Sequence, residues 1–173
     1  MKVKQNMLNF TVGPVMSNEK VLRIASNSAP YFRTAEFSEI MLQNEQMMLD
    51  NLNAPDGSRC VFLTTSGTGA MESVVMNVLN NKDKVLVING GSFGKRFLEL
   101  SQLHDLDTTE IKVAFGHQIR SEQLEYFKNK GYTALLVNMH ETSSGNLYDM
   151  NLIASFCKCN GILLIVDRKS TRL

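Results

Sequence analysis

Three stretches of this chain are apolar almost without interruption: Lys84–Asn89 (KVLVIN), residues 133–139 (TALLVNM) and residues 162–167 (ILLIVD). A strand with one wet face alternates apolar and polar residues, whereas a strand covered on both faces does not. Runs of this length and β-branched content therefore point to a parallel sheet buried between helices. The segments between them carry helical spacing. Residues 69–80 place Met71, Val74, Val75, Val78 and Leu79 on one face, and residues 95–104 turn Phe97, Leu98 and Leu103 inward. Residues 121–130 and 149–160 form two more helices, each followed by a glycine (Gly131, Gly161) that can terminate it. Further strands are expected at residues 59–65 (RCVFLTT) and 109–115. Alternating strands and helices define an α/β fold, a mostly parallel sheet with helices on both faces and right-handed crossovers. Ligands in such sheets sit at the carboxyl ends of the strands.

The first third reads differently. Residues 8–16 (LNFTVGPVM) are loop-like, Ser17 can cap a short helix reaching about residue 27, and residues 29–35 (APYFRTA) are irregular. Residues 36–53 form a long helix with Phe37, Ile40, Met41, Met48 and Leu52 on one side, a stripe suited to core or interface packing. The expected division is an N-terminal segment over 1–35, part of a ligand-binding large domain over 36–167, and a tail over 168–173.

Composition narrows the function classes. The 173 residues are 43% hydrophobic and 20% charged, an ordinary globular balance. A net charge of +1, with Lys and Arg scattered, gives no footprint for nucleic acid, and no basic amphipathic run marks a membrane surface. No secretory signal or membrane-spanning run is read, which makes the cytoplasm the default. The three cysteines, Cys60, Cys157 and Cys159, suit a reducing compartment. The Cys157-Lys158-Cys159 triplet lacks a second ligand pair at metal spacing, so no metal is expected.

The chemically suggestive residues all follow strands. In Ser66-Gly67-Thr68-Gly69-Ala70, small residues let the backbone approach an anion closely, and its N–H groups add to the helix dipole. Hydroxyls of Ser66 and Thr68 add donors. Such turns are common, so the pattern alone leaves an ordinary turn open. It is neither a Walker loop nor a dinucleotide fingerprint. Phe93, flanked by glycines in NGGSFG, can lie against a planar ligand. His140-Glu141-Thr142-Ser143-Ser144-Gly145 supplies short hydroxyls at the same rim, with His140 either a base or a structural partner. Asp167, at the end of a buried strand, is a carboxylate in need of a cationic partner such as a protonated ring nitrogen.

Taken in order, FTVGP, SGTGAME, NGGSFGKR, HETSSG and ILLIVD resemble the class V aminotransferases, fold-type I pyridoxal-phosphate enzymes that include alanine–glyoxylate, serine–pyruvate and 2-aminoethylphosphonate–pyruvate transaminases. The resemblance runs from Leu8 to about Asp167 and implies the N-terminal part of the large domain. It implies that Ser66, Gly67, Thr68, Gly69 and Ala70 hold the phosphate of pyridoxal 5'-phosphate. Phe93 would stack on its pyridine ring, Thr142 would hydrogen-bond near the ring oxygen, and Asp167 would pair with the ring nitrogen. Gly13 and Pro14 would line the substrate entrance, with Arg33 nearby. The implied reaction transfers an amino group from a small amino donor to a 2-oxo acid such as pyruvate or glyoxylate, in a cytoplasmic homodimer.

The chain also departs from the pattern. The family's Schiff-base lysine lies on a later strand, and Lys169 is on the wrong element to replace it, so this polypeptide alone is expected to be inactive. Residues 167–173 resemble a translated sequencing adapter, which makes 168–173 a non-native tail. Relatives acting on aminoethylphosphonate often carry His-Arg where this chain has Phe32-Arg33. A cysteine desulfurase or lyase on the same fold, and an inert truncated domain with an exposed sheet edge, are the competing expectations.

Overall fold

The computed structural model describes residues 8–10, 13 and 16–168. Pro14 and Lys169, both singled out above, lie outside them. The chain divides into two compact units, one ending at Leu63 and one beginning at Thr64.

The first unit holds two helices, α1 (Glu19–Ala25) and α2 (Ala35–Leu52). Each starts at a side-chain cap. Asn18, rather than Ser17, accepts from Val21 N–H, and Thr34 accepts from Phe37 N–H. Asn53 ends α2 in the left-handed conformation that Asn tolerates. The carboxylate of Glu45 accepts from Arg59 Nε at 2.7 Å and from Cys60 N–H at 2.9 Å. Those bonds, the guanidinium first, hold its pKa below the ordinary range. The apolar side expected on α2 is only half covered: Phe37 and Met41 are partly buried, while Ile40, Met48 and Leu52 are exposed.

The second unit opens with α3 (Gly67–Val78) and continues through β1 (Lys84–Asn89), α4 (Ser92–Leu103), β2 (Asp107–Lys112), α5 (Ser121–Glu125) and β3 (Ala134–Asn138). A small antiparallel hairpin follows, β4 (His140–Glu141) with β5 (Asn146–Leu147), then α6 (Met150–Asn160) and β6 (Leu163–Asp167). Four strands form a parallel sheet in the order β2-β1-β3-β6.

The apolar runs sort by parity, as a two-sided sheet requires. Val85, Val87, Ala134 and Leu136 pack with Met71, Val75, Leu79, Phe97 and Leu100 from α3 and α4. Leu86, Ile88, Leu135 and Val137 pack on the other face with Leu124, Ile153 and Phe156 from α5 and α6. Burying each of the larger of these side chains stabilises the fold by about 1.5–3 kcal/mol.

Several expectations need correction. Residues 59–65 form no strand: they have no ladder partner among the described residues, and Val61, Phe62 and Leu63 are exposed. Leu103 is also exposed, because six residues after the buried Phe97 an α-helix has turned about 240° away from the core. Val74 and Val78 likewise lie outside the buried stripe of Met71, Val75 and Leu79. Strand β2 stops at Lys112, since Ala114–Gly116 turn back through His117 N–H to the Ala114 carbonyl, with Gly116 at φ +75°. Helix α5 is short: Phe127 and Lys128 already bond three residues back, and Phe127 tucks edge-on against Tyr132 at 5.7 Å. Gly161 ends α6 at φ +65°, as its position suggested.

Candidate functional site

The strand order locates the crevice. From β1 the chain crosses through α4 to β2 on one side, and from β3 it crosses through α6 to β6 on the other. The β1/β3 boundary is therefore the topological switch point, where connections diverge and leave a cleft beyond the carboxyl ends. Phe93 follows β1, Thr142 follows β3, and Asp167 closes β6. The four strands of the main sheet are parallel, so the three share one rim. Helix α3 precedes β1 and brings its N-terminus to that rim, where Thr68 Oγ1 accepts from Arg96 Nη1 of α4 at 2.9 Å.

The glycine-rich segment 66–70 is thus not a loop but the first turn of α3. Ser66 is its N-cap, with Oγ accepting from Gly69 N–H at 3.1 Å. Ser66, Gly67 and Ala70 are exposed, Thr68 and Gly69 half-exposed, so the positive end of the helix is open. The comparable end of α4 is sealed. Its N-cap, Gly91, offers no side chain. Instead the carboxylate of Glu141, fully buried, accepts from Gly94 N–H at 2.9 Å and Phe93 N–H at 3.3 Å. Ser143 completes the seal: its Oγ accepts from Ser92 N–H at 2.9 Å and donates to Glu141 Oε1, and its N–H reaches the same oxygen at 3.2 Å.

That internal carboxylate explains the neighbouring glycines. A Cβ at Gly91 would come within 2.3 Å of Ser143 Oγ and 2.6 Å of the Glu141 carboxyl carbon. At Gly90 it would meet Tyr148 Oη at 2.0 Å. Burial pushes the Tyr148 phenol above its ordinary pKa, and the Glu141 charge pushes the same way.

At the far side of the cleft, Asn138 and Asp167 are paired in register, and Asn138 Nδ2 donates to Asp167 Oδ2 at 2.7 Å. The Asn138 side chain is buried, and its Oδ1 has no hydrogen-bond partner among the described residues. Thr142 is half-exposed, and among the described residues its hydroxyl makes only a 3.5 Å contact to the His140 carbonyl, which leaves it available. His140 is exposed and pairs through its backbone with Leu147.

Residues 18–172 match the Aminotransferase class-V family. The chain belongs to the class-V aminotransferases. It is 32% identical over 160 residues to a soluble hydrogenase 42 kDa subunit from Anabaena cylindrica, covering 90% of this chain and 41% of that protein. It is 30% identical over 166 residues to an uncharacterized aminotransferase from Helicobacter pylori, covering 93% and 43%. Among solved structures, the subgroup IV aspartate aminotransferase of Thermus thermophilus superposes with a TM-score of 0.81 at 29% identity, covering 90% of this chain and 44% of that one. The class-V chain therefore spans about two fifths of the length of these relatives.

Of the residues the sequence singled out, the class-V fold brings Ser66–Ala70, Phe93, Thr142 and Asp167 to one rim. Gly13 and Arg33 belong to the first unit, where the Arg33 guanidinium lies 5.1 Å from the Phe32 ring centre. Sequence reasoning missed Glu141, Asn138 and Arg96. A signal for Glu141 was present: a helix starting at Gly-Gly-Ser needs its cap from elsewhere. Among the described residues no cluster of three or more His, Cys, Asp or Glu could hold a metal, and no helix is long and apolar enough to cross a membrane. Cys157 and Cys159 face opposite ways on α6, one buried and one exposed.

Proposed function

We propose that the whole protein is a pyridoxal 5'-phosphate-dependent aminotransferase, moving an amino group between a small amino donor and a 2-oxo acid such as pyruvate or glyoxylate. The observation that carries the reading is the asymmetry of the two helix ends at the switch point. One is plugged by an internal carboxylate, and the other, at α3, is open and lined with hydroxyls. A phosphate dianion suits the open end. A carboxylate already anchored by Asn138 suits a protonated ring nitrogen, and a half-exposed Phe93 suits a flat ring between them.

In this reading the coenzyme, when bound, supplies an electron sink for the charge left on the substrate Cα. The chain's own residues bind and orient. Ser66, Thr68 and the N–H groups of Gly67, Gly69 and Ala70 would hold the phosphate. Phe93 would cover one ring face and exclude water. The Thr142 hydroxyl would donate to the ring oxygen. Asp167 would keep the ring nitrogen protonated through a charge-assisted bond worth about 1.5–3 kcal/mol. Asn138 would fix the carboxylate for that bond. Gly13 and Pro14 would line the substrate entrance, with Arg33 also on the substrate side. Residues 36–167 would then be part of the coenzyme domain and 1–35 an entrance segment. The Schiff-base lysine would come from the rest of the protein, which would act as a cytoplasmic homodimer.

The test uses the longest polypeptide the gene encodes, supplied with pyridoxal 5'-phosphate and a panel of small amino donors with pyruvate or glyoxylate. Formation of the matching new amino acid, lost in Asp167→Asn, is expected. No product from any pairing would overturn the proposal.

A further inference from the structure

Glu141 is a fully buried carboxylate that the family motifs above leave without a role. Its oxygens accept from Phe93 and Gly94 N–H on one element and from Ser143 N–H and Oγ on another. Phe93 and Thr142 are neighbours of those contacts in the chain. A fully buried charge is costly unless hydrogen-bonded throughout, and here two main-chain donors of a helix start, with its positive dipole end, offset the cost. Ser143 relays the remaining first-turn donor, Ser92 N–H, to the same oxygen. The missing Cβ at Gly91 makes room for the Glu141 carboxyl and the Ser143 hydroxyl, and the missing Cβ at Gly94 lets α4 approach the β1 backbone.

We propose that Glu141 is a positioning residue: its carboxylate locks the first turn of α4 to the β4–β5 turn, so that Phe93 and Thr142 meet the coenzyme ring as one rigid pair. The role rests on the coenzyme reading given above. Glu141 touches neither coenzyme nor substrate and acts through the two residues it holds. By sealing the N-terminus of α4 it also leaves α3 as the anion site at this rim. Losing it loosens contacts to the ring while leaving the phosphate contacts in place.

The test compares wild type, Glu141→Gln, Glu141→Ala and Ser143→Ala in the full-length protein, with two readouts. Amide hydrogen exchange at Ser92–Gly94 reports the clamp without any coenzyme. Titration with pyridoxal 5'-phosphate and, separately, with inorganic phosphate reports ring and phosphate contacts. Expected is faster exchange at Phe93 and Gly94 in Glu141→Ala, with a smaller effect in Glu141→Gln and in Ser143→Ala. Coenzyme affinity should fall in the same order, by about tenfold or more for Glu141→Ala, as losing charge-assisted bonds implies. Phosphate affinity should change less than twofold. Unchanged exchange in Glu141→Gln and Ser143→Ala, which keep the cavity filled, would overturn the clamp. Equal losses for coenzyme and phosphate would overturn the ring-positioning role. A wild type that binds neither ligand while exchange still responds would instead reject the coenzyme reading and leave the clamp standing.

Discussion

Replacing Gly94 by alanine isolates the packing that sets α4 against β1. In an ordinary helix interior this change gains about 1 kcal/mol, because glycine is the poorer helix former. Here the new Cβ would lie 2.6 Å from the Ile88 carbonyl oxygen and 2.7 Å from Asn89 Cα. Both are backbone atoms of β1, so neither can rotate aside. Relief requires α4 to move by several tenths of an ångström, and overpacking of that kind costs about 1–3 kcal/mol. The movement also strains the 2.9 Å bond from Gly94 N–H to Glu141, a charge-assisted bond worth about 1.5–3 kcal/mol. Net destabilisation of about 2–4 kcal/mol follows from these terms. Gly69→Ala is the control: its Cβ would meet Thr65 Oγ1 at 2.1 Å, the mobile end of a side chain that can change rotamer. Its stability should stay within about 1 kcal/mol of wild type. Urea unfolding followed by far-ultraviolet circular dichroism measures both. A Gly94→Ala protein as stable as wild type, or a Gly69→Ala protein that loses more, would refute the reasoning.

Ser66→Ala removes the cap of α3 and should cost about 1 kcal/mol in the same unfolding assay. Asp149→Ala, which takes the cap accepting from Asn151 and Leu152 N–H, should cost about the same by thermal denaturation. Iodoacetamide at pH 8, read by peptide mass spectrometry, should label the exposed Cys159 and spare Cys157, whose thiol burial pushes up to about 11. The folded value lies above the unfolded one of about 8.5, so the Cys157 contribution to stability is intact below that pH and is lost as pH climbs toward 11. Urea midpoints across this window should fall more steeply in wild type than in Cys157→Ala.

The sheet was legible because its chemistry is local. KVLVIN and ALLVN read as two-sided strands from their own composition, and parity along them sorts the core by itself. LLIVD reads the same way but lies at the sheet edge, with Leu163 and Val166 exposed, because composition does not say where a sheet stops. Residues 59–65 failed for a related reason: strand-like composition says nothing about whether a neighbouring edge exists. Composition starts the two helices late, at Gly69 and Lys95, because glycines at 67, 69 and 94 look like loop residues, whereas Gly69 and Gly94 are small to fit the Thr65 side chain and the β1 backbone, and Gly67 faces open space. The rim residues Ser66–Ala70, Phe93, Thr142 and Asp167 could be read one loop at a time. Glu141 and Asn138 could not. Their partners lie 47 and 29 residues away in sequence, and no periodicity carries such pairings.

In the proposed function the open N-terminus of α3 holds the phosphate of a flat coenzyme whose ring lies toward Asp167. Comparing the affinities of pyridoxal 5'-phosphate and unphosphorylated pyridoxal for the full-length protein, in wild type and in a Ser66→Ala/Thr68→Ala double variant, tests it most directly. The phosphorylated form should bind wild type at least about tenfold more tightly, an advantage that shrinks in the double variant as two donors are lost. Equal affinities for the two forms in wild type, or an advantage untouched by the double substitution, would contradict it.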